Sequence, residues 1–177
     1  MSEGQNRLLT FEIGSSLFAL PIEAVYEVAE MAELACIPTL PRDVAGVINY
    51  RGDALPVVRR ERLLEPGAGA LEAPQHVLVI SDRSSSPPCL GLEVDRVLGL
   101  VDGPPAASFA QRAQVSRSEP KASEDHKVGE RRPADGRGLE PVAERRPLDG
   151  RLLSVVDASR LVARARKVIE DALARGE

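Results

Sequence analysis

Few side chains in this sequence are of the types that carry catalysis or bind metals. Its 177 residues include two histidines and two cysteines. His76 begins an apolar run and His126 lies in a charged stretch, and neither accompanies a Ser or Cys motif for nucleophilic catalysis. Cys36 and Cys89 lie too far apart to form a redox pair or half of a zinc-ligand set, which indicates ordinary apolar roles. The carboxylates are scattered over predicted turns and solvent faces, so we expect no enzyme activity, metal or cofactor.

One dense basic run, Arg59-Arg60-Glu61-Arg62, is the remaining candidate for chemistry. Such runs are usually solvated faces, and the alternative is that Arg59, Arg60 and Arg62 contact phosphates. That alternative describes a small-barrel nucleic-acid-binding protein, whose binding weakens steeply with salt. The formal net charge of −4 gives no general attraction for nucleic acids or anionic lipids.

The triplet Arg51-Gly52-Asp53 separates the β-branched runs GVINY and ALPVV. The N-terminus shows no secretion signal and no apolar run approaches the length of a membrane span, so we expect a cytoplasmic protein. A cytoplasmic protein meets no extracellular adhesion receptor, which excludes the adhesion role of this triplet. Because glycine supplies the positive φ of tight turns, the triplet is interpreted as a hairpin turn.

Short alternating runs predict a mainly β fold with an interior of Leu, Val, Ile and Ala, since only five residues are aromatic. The stretch 22–31 fits a short helical turn that continues into a strand. Many short strands with regular turn signals favour antiparallel barrels or a sandwich. Strands are predicted over RLLTFEI (7–13), LFAL (17–20), GVINY, ALPVV, HVLVIS (76–81), CLGLEVD (89–95), VLGLVDG (97–103) and LLSVV (152–156).

A charged segment, residues 110–137, interrupts this pattern. We expect it to be mobile because it has little apolar surface to bury. It ends in ERRPADGR (130–137), which recurs as ERRPLDGR (144–151) with one change. The second copy places the turn signal Asp149-Gly150 before a strand, whereas the first is followed by none. The first copy is therefore interpreted as a surplus turn, and the alternative is a basic repeat that docks a partner.

The C-terminal residues predict an amphipathic helix. Asp157 or Ser159 can cap its N-terminus. Leu161, Ala165, Val168 or Ile169, and Ala172 or Leu173 form one apolar stripe at helical spacing. We expect this stripe to pack on the domain, with a partner-binding or membrane-surface helix as the alternative.

The run PTLPRDVAGVINYRGDALPVV, preceded by LLTFEIGSSLFALPIEAVYEV and followed by CLGLEVDRVLGLVDG, resembles the CheW-like coupling domains of bacterial chemosensory systems. The signature of that family is a Pro-rich lead-in, then Gly-Val-Ile-Asn-x-Arg-Gly, then Pro-Val-x-Asp-Leu, with a Val-Asp-x-Val element in the second half. The similarity extends from about Leu8 to Leu161. Many matched positions in the right order are more specific than a single short motif.

The resemblance implies two intertwined five-stranded antiparallel β-barrels followed by a C-terminal α-helix. It places the domain at 7–165, with 107–137 as an insertion that is longer than usual by about one duplicated unit, and the packed helix at 158–175. It implies no catalysis. Such proteins are adaptors between the cytoplasmic tip of a chemoreceptor and the regulatory domain of a CheA-type histidine kinase, at receptor arrays on the inner face of the membrane. Other CheW-like proteins are further candidate partners.

The resemblance also implies which residues bind partners. Gly46 opens the signature, Arg51 is its arginine, and Glu27 matches a glutamate of the family. In the family these positions influence kinase and receptor engagement. Gly46 also has a purely structural interpretation in backbone geometry, and Arg51 has one in bracing a turn through a carboxylate.

Three apolar residues, Val25, Val97 and Leu100, match family positions that line the groove between the barrels. Receptor helices lie in that groove, where burial supplies affinity and rim charges supply register. The alternative is that these three residues belong to the core.

The sequence departs from the signature directly after Pro56-Val57-Val58. Arg59 replaces the aspartate, which reverses the charge, and Arg60 replaces the leucine. Because position 59 carries no carboxylate in this sequence, the pairing of a carboxylate there with a neighbouring arginine cannot form. This departure and the long insertion favour altered partner choice, so an accessory CheW-like protein that binds receptor but engages kinase poorly is the alternative to a full coupler.

Overall fold

The computed structural model describes residues 7–65, 72–82, 86–103 and 140–175. Strands and helices alternate with short turns in these ranges, and 3-10 turns cover Ile22–Ala24 and Met31–Glu33. The strands are β1 (Arg7–Ile13), β2 (Ser16–Pro21), β3 (Val25–Glu30), β4 (Val44–Tyr50), β5 (Asp53–Val58), β6 (His76–Ile80), β7 (Leu90–Val94), β8 (Arg96–Asp102), β9 (Val142–Leu148) and β10 (Arg151–Val156). The helices are α1 (Arg60–Leu63) and α2 (Ala158–Ala174).

Two hairpins turn on residue pairs with positive φ. Arg51 and Gly52 have φ of 52° and 96° between β4 and β5, and Asp149 and Gly150 have 48° and 77° between β9 and β10. Positive φ at both central residues matches the twist of the flanking strands. The turn interpretation of both segments is therefore confirmed, although Asp53 already belongs to β5.

The strands form two sheets of five, as expected. Sheet A has the order β8-β1-β2-β10-β9, and sheet B has the order β3-β6-β7-β5-β4. Each sheet contains one parallel pair, β2 with β10 and β5 with β7, so the sheets are mixed rather than wholly antiparallel. Parallel pairs need long crossover connections, and both pairs join strands that other elements separate in sequence.

The edges of each sheet meet through local contacts, and no continuous backbone ladder closes a barrel in the described part of the chain. In sheet B, Ala35 and Val47 exchange backbone hydrogen bonds of 2.8 and 2.9 Å. In sheet A, the Arg146 guanidinium of β9 donates to the Asp102 carbonyl of β8 at 2.8 Å. The mainly β fold with two five-stranded sheets is thus confirmed. These hydrogen bonds connect the sheet edges in place of the continuous strand pairing that would close a barrel.

Alternation along the strands divides the core into three clusters. A cluster inside sheet A contains Leu8 and Leu17, and a cluster inside sheet B contains Ile48 and Val79. The largest cluster lies between the sheets, and we call it the inter-sheet core. It includes Leu9, Phe11, Ile13, Phe18, Leu20, Val58, Leu63, Leu64, Leu78, Ile80, Leu90, Leu92, Val94, Val156, Leu161, Val162 and Ala165.

Helix α2 packs on this core with its predicted stripe. Asp157 is the cap, since its side chain accepts from the Arg160 N–H at 3.0 Å. Leu161, Ala165 and Ala172 are buried, whereas Leu173 is exposed. Of the two predicted alternatives at the end of the stripe, Ala172 is therefore the buried one. No described helix combines the length and apolar character needed to cross a membrane.

The second copy of the duplicated segment forms β9 and its turn, so strand structure extends through the charged run Glu144–Leu148. Pairing with β10 explains this, because Arg145 and Arg146 lie opposite Ser154 and Leu153. The whole of the predicted insertion at 107–137, including the first copy at 130–137 and His126, lies outside the described residues.

An ion pair between Arg60 and Asp95 is buried where the two sheets meet. Arg60 is only 3% exposed and Asp95 only 5%. The second Asp95 oxygen accepts from the Gly14 N–H at 2.7 Å, and the Asp95 N–H donates to the Glu12 carbonyl at 3.0 Å. Asp95 therefore fixes the β1–β2 turn of sheet A, while Arg60 belongs to α1, which follows β5 of sheet B.

Removal of the Asp95 charge by Asp95→Asn is expected to lower the free energy of unfolding by about 3–5 kcal/mol, because Arg60 is left buried without its carboxylate. Urea unfolding measures this change. The double variant Arg60→Met/Asp95→Asn is expected to lose less than the sum of the single variants. Additive losses would contradict the assignment of the pair as the stabilising contact.

Candidate partner-binding faces

Edge strand β3 carries a β-bulge. Val25 lies opposite Ile80 and Glu27 opposite Val79, so Tyr26 is the extra residue. Val28 then lies opposite Leu78, and Leu78 and Ile80 belong to the inter-sheet core. Because directly opposed residues share a face, the bulge brings Val25 and Val28 to the same side of the strand although they are three residues apart.

Edge strand β8 repeats this arrangement. Val97 lies opposite Phe11 and Gly99 opposite Thr10, so Leu98 is the extra residue. Leu100 lies opposite Leu9, which places Val97 and Leu100 on the side of the inter-sheet core.

Each of these two edge strands packs one valine against the inter-sheet core and leaves a second apolar residue exposed. Val25 and Val97 are half-buried and pack against the inter-sheet core. The 3-10 turn Ile22–Ala24, which leads into β3, packs on β1, the neighbour of β8. Val28 is 41% exposed and Leu100 is 40% exposed. Val25 and Val97 therefore belong partly to the core, and Val28 and Leu100 continue the apolar surface into solvent. We call these four residues the edge groove.

Gly46 has a steric role in closing sheet B. A Cβ atom there would lie 2.6 Å from the Ala35 carbonyl oxygen and 3.0 Å from the Leu34 side chain. The Ala35–Val47 bridge passes directly beside it. The backbone-geometry interpretation of Gly46 is therefore confirmed, and its influence on partners stays a prediction.

Arg51 does not brace its turn through a carboxylate, since the described residues include no ion pair with it. Its guanidinium lies over the ring of Tyr50, with Cζ 5.2 Å from the centroid, a cation–π geometry. The turn is held instead by the Asn49 side chain, which accepts from the Gly52 N–H at 2.9 Å. The Arg51 side chain is exposed on the β4–β5 turn, and Glu27 is exposed on β3.

Sequence reasoning missed four residues that lie beside the matched positions: Tyr26, Val28, Leu98 and Tyr50. In VYEV and in RVLGL, a further apolar or aromatic residue stands beside a residue that matches the family, and this repeated pattern could have indicated them. That signal was ambiguous because an alternating pattern assumes a regular strand, and a bulge shifts every later residue to the other face.

The run 59–62 is anchored by protein acceptors rather than left as a free basic patch. Arg59 donates to the Arg42 carbonyl at 2.8 Å, and Arg62 pairs with Asp43 at 2.6 Å. Asp43 also accepts from Arg175 at 2.8 Å, which ties the end of α2 to this corner. Together with the Arg60–Asp95 pair, these contacts engage all three arginines of the run.

Glu93 on β7 lies beside the start of α1. There Arg59 occupies the N-cap position without a capping side chain. Glu93 is only 4% exposed, and burial raises the pKa of its carboxyl above the usual value. The charge of Arg59 works in the opposite direction, while Glu61 adds to the rise.

The described residues contain no group of three or more His, Cys, Asp or Glu side chains able to hold a metal ion. Cys36 and Cys89 are free thiols, and burial, aided by the charge of Asp82, raises the pKa of the Cys89 thiol. A raised pKa disfavours the reactive thiolate, in line with an ordinary role for Cys89.

Comparison with known protein families identifies the family to which this chain belongs. The pattern of the family described as "CheW-like domain" matches residues 7–123, more than half of the chain. The chain belongs to the CheW-like family. The Chemotaxis protein CheW of Rhizobium meliloti is 34% identical over 98 residues, which cover 55% of this chain and 61% of that protein. The Protein FrzA of Myxococcus xanthus is 30% identical over 96 residues, covering 54% and 58%.

A solved structure supports the fold of this CheW-like chain. The scaffolding protein TtCheW from Thermoanaerobacter tengcongensis superposes with a TM-score of 0.54 and 18% identity, covering 86% of this chain and 88% of that one. The curated relatives match over a shorter span. The Chemotaxis protein CheW of Treponema pallidum, 26% identical, is likewise covered over 60% of its length. The chain thus spans about three fifths of the curated CheW-like relatives that it matches.

The substitution Gly46→Ala is expected to lower the free energy of unfolding by about 1–3 kcal/mol, because the added methyl group collides with the Ala35 carbonyl and separates the edges of sheet B. Urea unfolding measures the loss, and hydrogen exchange at the Ala35 and Val47 amides reports the bridge. Ala54→Ser, an exposed change on the same hairpin, serves as the control. Slow exchange of both amides in the Gly46→Ala variant would contradict this role.

Glu93→Gln is expected to gain stability relative to the parent protein as pH rises from 4 to 7. A carboxyl whose folded pKa is raised contributes its full stability below the unfolded pKa, near 4.5, and loses it as pH rises through the folded pKa. The glutamine does not titrate. Urea unfolding of both proteins at several pH values gives the difference, and a difference independent of pH would contradict the prediction.

Proposed function

We propose that this chain is a non-enzymatic adaptor of a bacterial chemosensory pathway. Its partners are the cytoplasmic tip of a chemoreceptor and the regulatory domain of a CheA-type histidine kinase. In this role the protein is cytoplasmic and is recruited to receptor arrays at the inner face of the membrane. Its relatives include chemotaxis proteins and a scaffolding protein, and these support the assignment.

The observation that carries the proposal is the edge groove. Half-buried Val25 and Val97 continue into the exposed Val28 and Leu100, so an apolar surface is exposed along two sheet edges. An amphipathic helix buries its apolar stripe in such a groove, and flanking charges set its register. Glu27 on β3 and Arg96 on β8 are exposed charges of opposite sign on the two edge strands.

The face around the β4–β5 turn supports a second partner. Arg51 is exposed on a rigid two-residue turn, and an arginine held over an aromatic ring is a frequent anchor at interfaces. We assign this face to the kinase regulatory domain, with other CheW-like proteins as further candidates. In the accessory alternative, only the receptor binds, since the insertion and the changed signature at positions 59 and 60 alter kinase engagement.

The nucleic-acid alternative depends on Arg59, Arg60 and Arg62, and each of these arginines already has a protein acceptor. Arg60 is buried and cannot reach a phosphate. The geometry therefore favours the adaptor.

Leu100→Glu is expected to weaken binding of a receptor cytoplasmic-tip fragment at least about tenfold, because a buried unpaired carboxylate is costly in an apolar interface. Isothermal titration of the purified protein measures the affinity. Leu100 is a better site for this substitution than Val97. The Val97 side chain packs on the core, whereas Leu100 is exposed, so a change at Leu100 leaves folding intact.

Leu152→Glu is the matched control, because Leu152 is 59% exposed on β10. A parallel titration with the kinase regulatory domain separates the full coupler from the accessory protein. If the parent protein binds neither fragment, or if Leu100→Glu binds the receptor fragment unchanged, the proposal is wrong. Binding of DNA with a steep salt dependence would instead support the nucleic-acid alternative.

A further inference from the structure

We propose that Tyr26 is a positioning residue that holds the Arg51 turn against strand β3, so that the edge groove and the Arg51 face are fixed relative to each other. The inference rests on the proposed function for its biological meaning. Its structural part stands on contacts between β3, the end of β4 and the β6–β7 loop.

Tyr26 is placed for this role by the bulge. As the extra residue between Val25 and Glu27, it has no partner in the register with β6, although it lies within the strand. A bulge redirects the side chain that it carries. Its immediate neighbour Val25 lines the edge groove, so any displacement of Tyr26 is transmitted to the groove wall through one peptide unit.

The side chain of Tyr26 makes two contacts with different elements. Its ring packs edge-on against the ring of Tyr50, with centroids 6.3 Å apart and an interplanar angle of 81°. Its hydroxyl donates to the Ser86 carbonyl of the β6–β7 loop at 2.7 Å. The chain has only two tyrosines, and these two contact each other. Tyr26 is nevertheless 41% exposed, so core packing alone does not account for it.

Tyr50 connects Tyr26 to Arg51. Tyr50 is buried in the sheet B cluster, and the Arg51 guanidinium lies over its ring. A long arginine side chain loses considerable rotamer freedom on binding, and a ring that already orients the guanidinium reduces that loss. The described residues include no ion pair with Arg51, which leaves its donors available to an acidic group of a partner. Tyr26 packs on the Tyr50 ring and so acts on Arg51 through that ring.

The structural part is tested without any partner. In the parent protein, the Nε–H NMR signal of Arg51 is expected to carry the upfield ring-current shift of a proton over Tyr50. Tyr26→Leu is expected to reduce that shift, while Tyr26→Phe, which loses only the bond to Ser86, retains most of it. An unshifted Arg51 signal in the parent protein, or an unchanged shift in Tyr26→Leu, would overturn the inference whatever the protein binds.

The functional part is tested by a double-mutant cycle with the kinase regulatory domain. Arg51→Ala and Tyr26→Leu are each expected to weaken binding about threefold to tenfold. The double variant is expected to bind no more weakly than Arg51→Ala, because Tyr26 acts through Arg51. Strictly additive losses, or full affinity in Tyr26→Leu, would overturn it.

Leu152→Ala serves as the control for loss of an exposed apolar side chain away from these faces. If Leu152→Ala binds with the affinity of the parent protein, the effect of Tyr26→Leu is specific. If Leu152→Ala loses as much affinity as Tyr26→Leu, the inference is overturned. If the parent protein binds no kinase domain, the kinase assignment fails, while the Arg51 signal still decides whether Tyr26 positions the turn.

Discussion

The buried ion pair between Arg60 and Asp95 is the constraint on which the two-sheet arrangement depends. Two charges removed from water cost less when their remaining donors and acceptors are also engaged. Here the Asp95 carboxylate also accepts from Gly14, and Arg60 also donates to the Glu72 carbonyl. The buried Arg60 Nε lies 3.5 Å from a Glu61 carboxylate oxygen and has no hydrogen-bond partner among the described residues. The pair therefore requires the β1–β2 turn, the β7–β8 junction and α1 to meet at one place, which sets the position of one sheet against the other.

This constraint gives a physical meaning to the departure from the family signature. The arginine at the leucine position would be costly in an apolar core, but a carboxylate is already available there from the Val-Asp-x-Val element. Arg59 and Arg62 continue the same corner toward Arg42 and Asp43. The charged run thus stabilises the junction of α1 and α2 through contacts within the domain.

The edge strands β3 and β8 each carry a bulge. A sheet edge exposes unpaired backbone and invites indiscriminate pairing, and a bulge twists the edge away from a flat template. The same irregularity moves residues three apart, rather than two, onto one face. The same backbone feature therefore protects the edge and brings Val25 with Val28, and Val97 with Leu100, to one side of each strand.

Local signals in the sequence were sufficient for most of the elements. Gly52 and Gly150 marked the hairpins, the alternation in RLLTFEI marked β1, and the stripe of α2 was readable because each signal depends on neighbours in the chain. The family signature added the two-sheet topology. The tertiary structure alone decided that Arg60 is buried, that Glu93 is buried beside α1, and that Val25 and Val97 are half-buried against the inter-sheet core. These properties depend on contacts between residues far apart in sequence and on bulges that reverse a strand's faces, and neither is encoded in a local pattern.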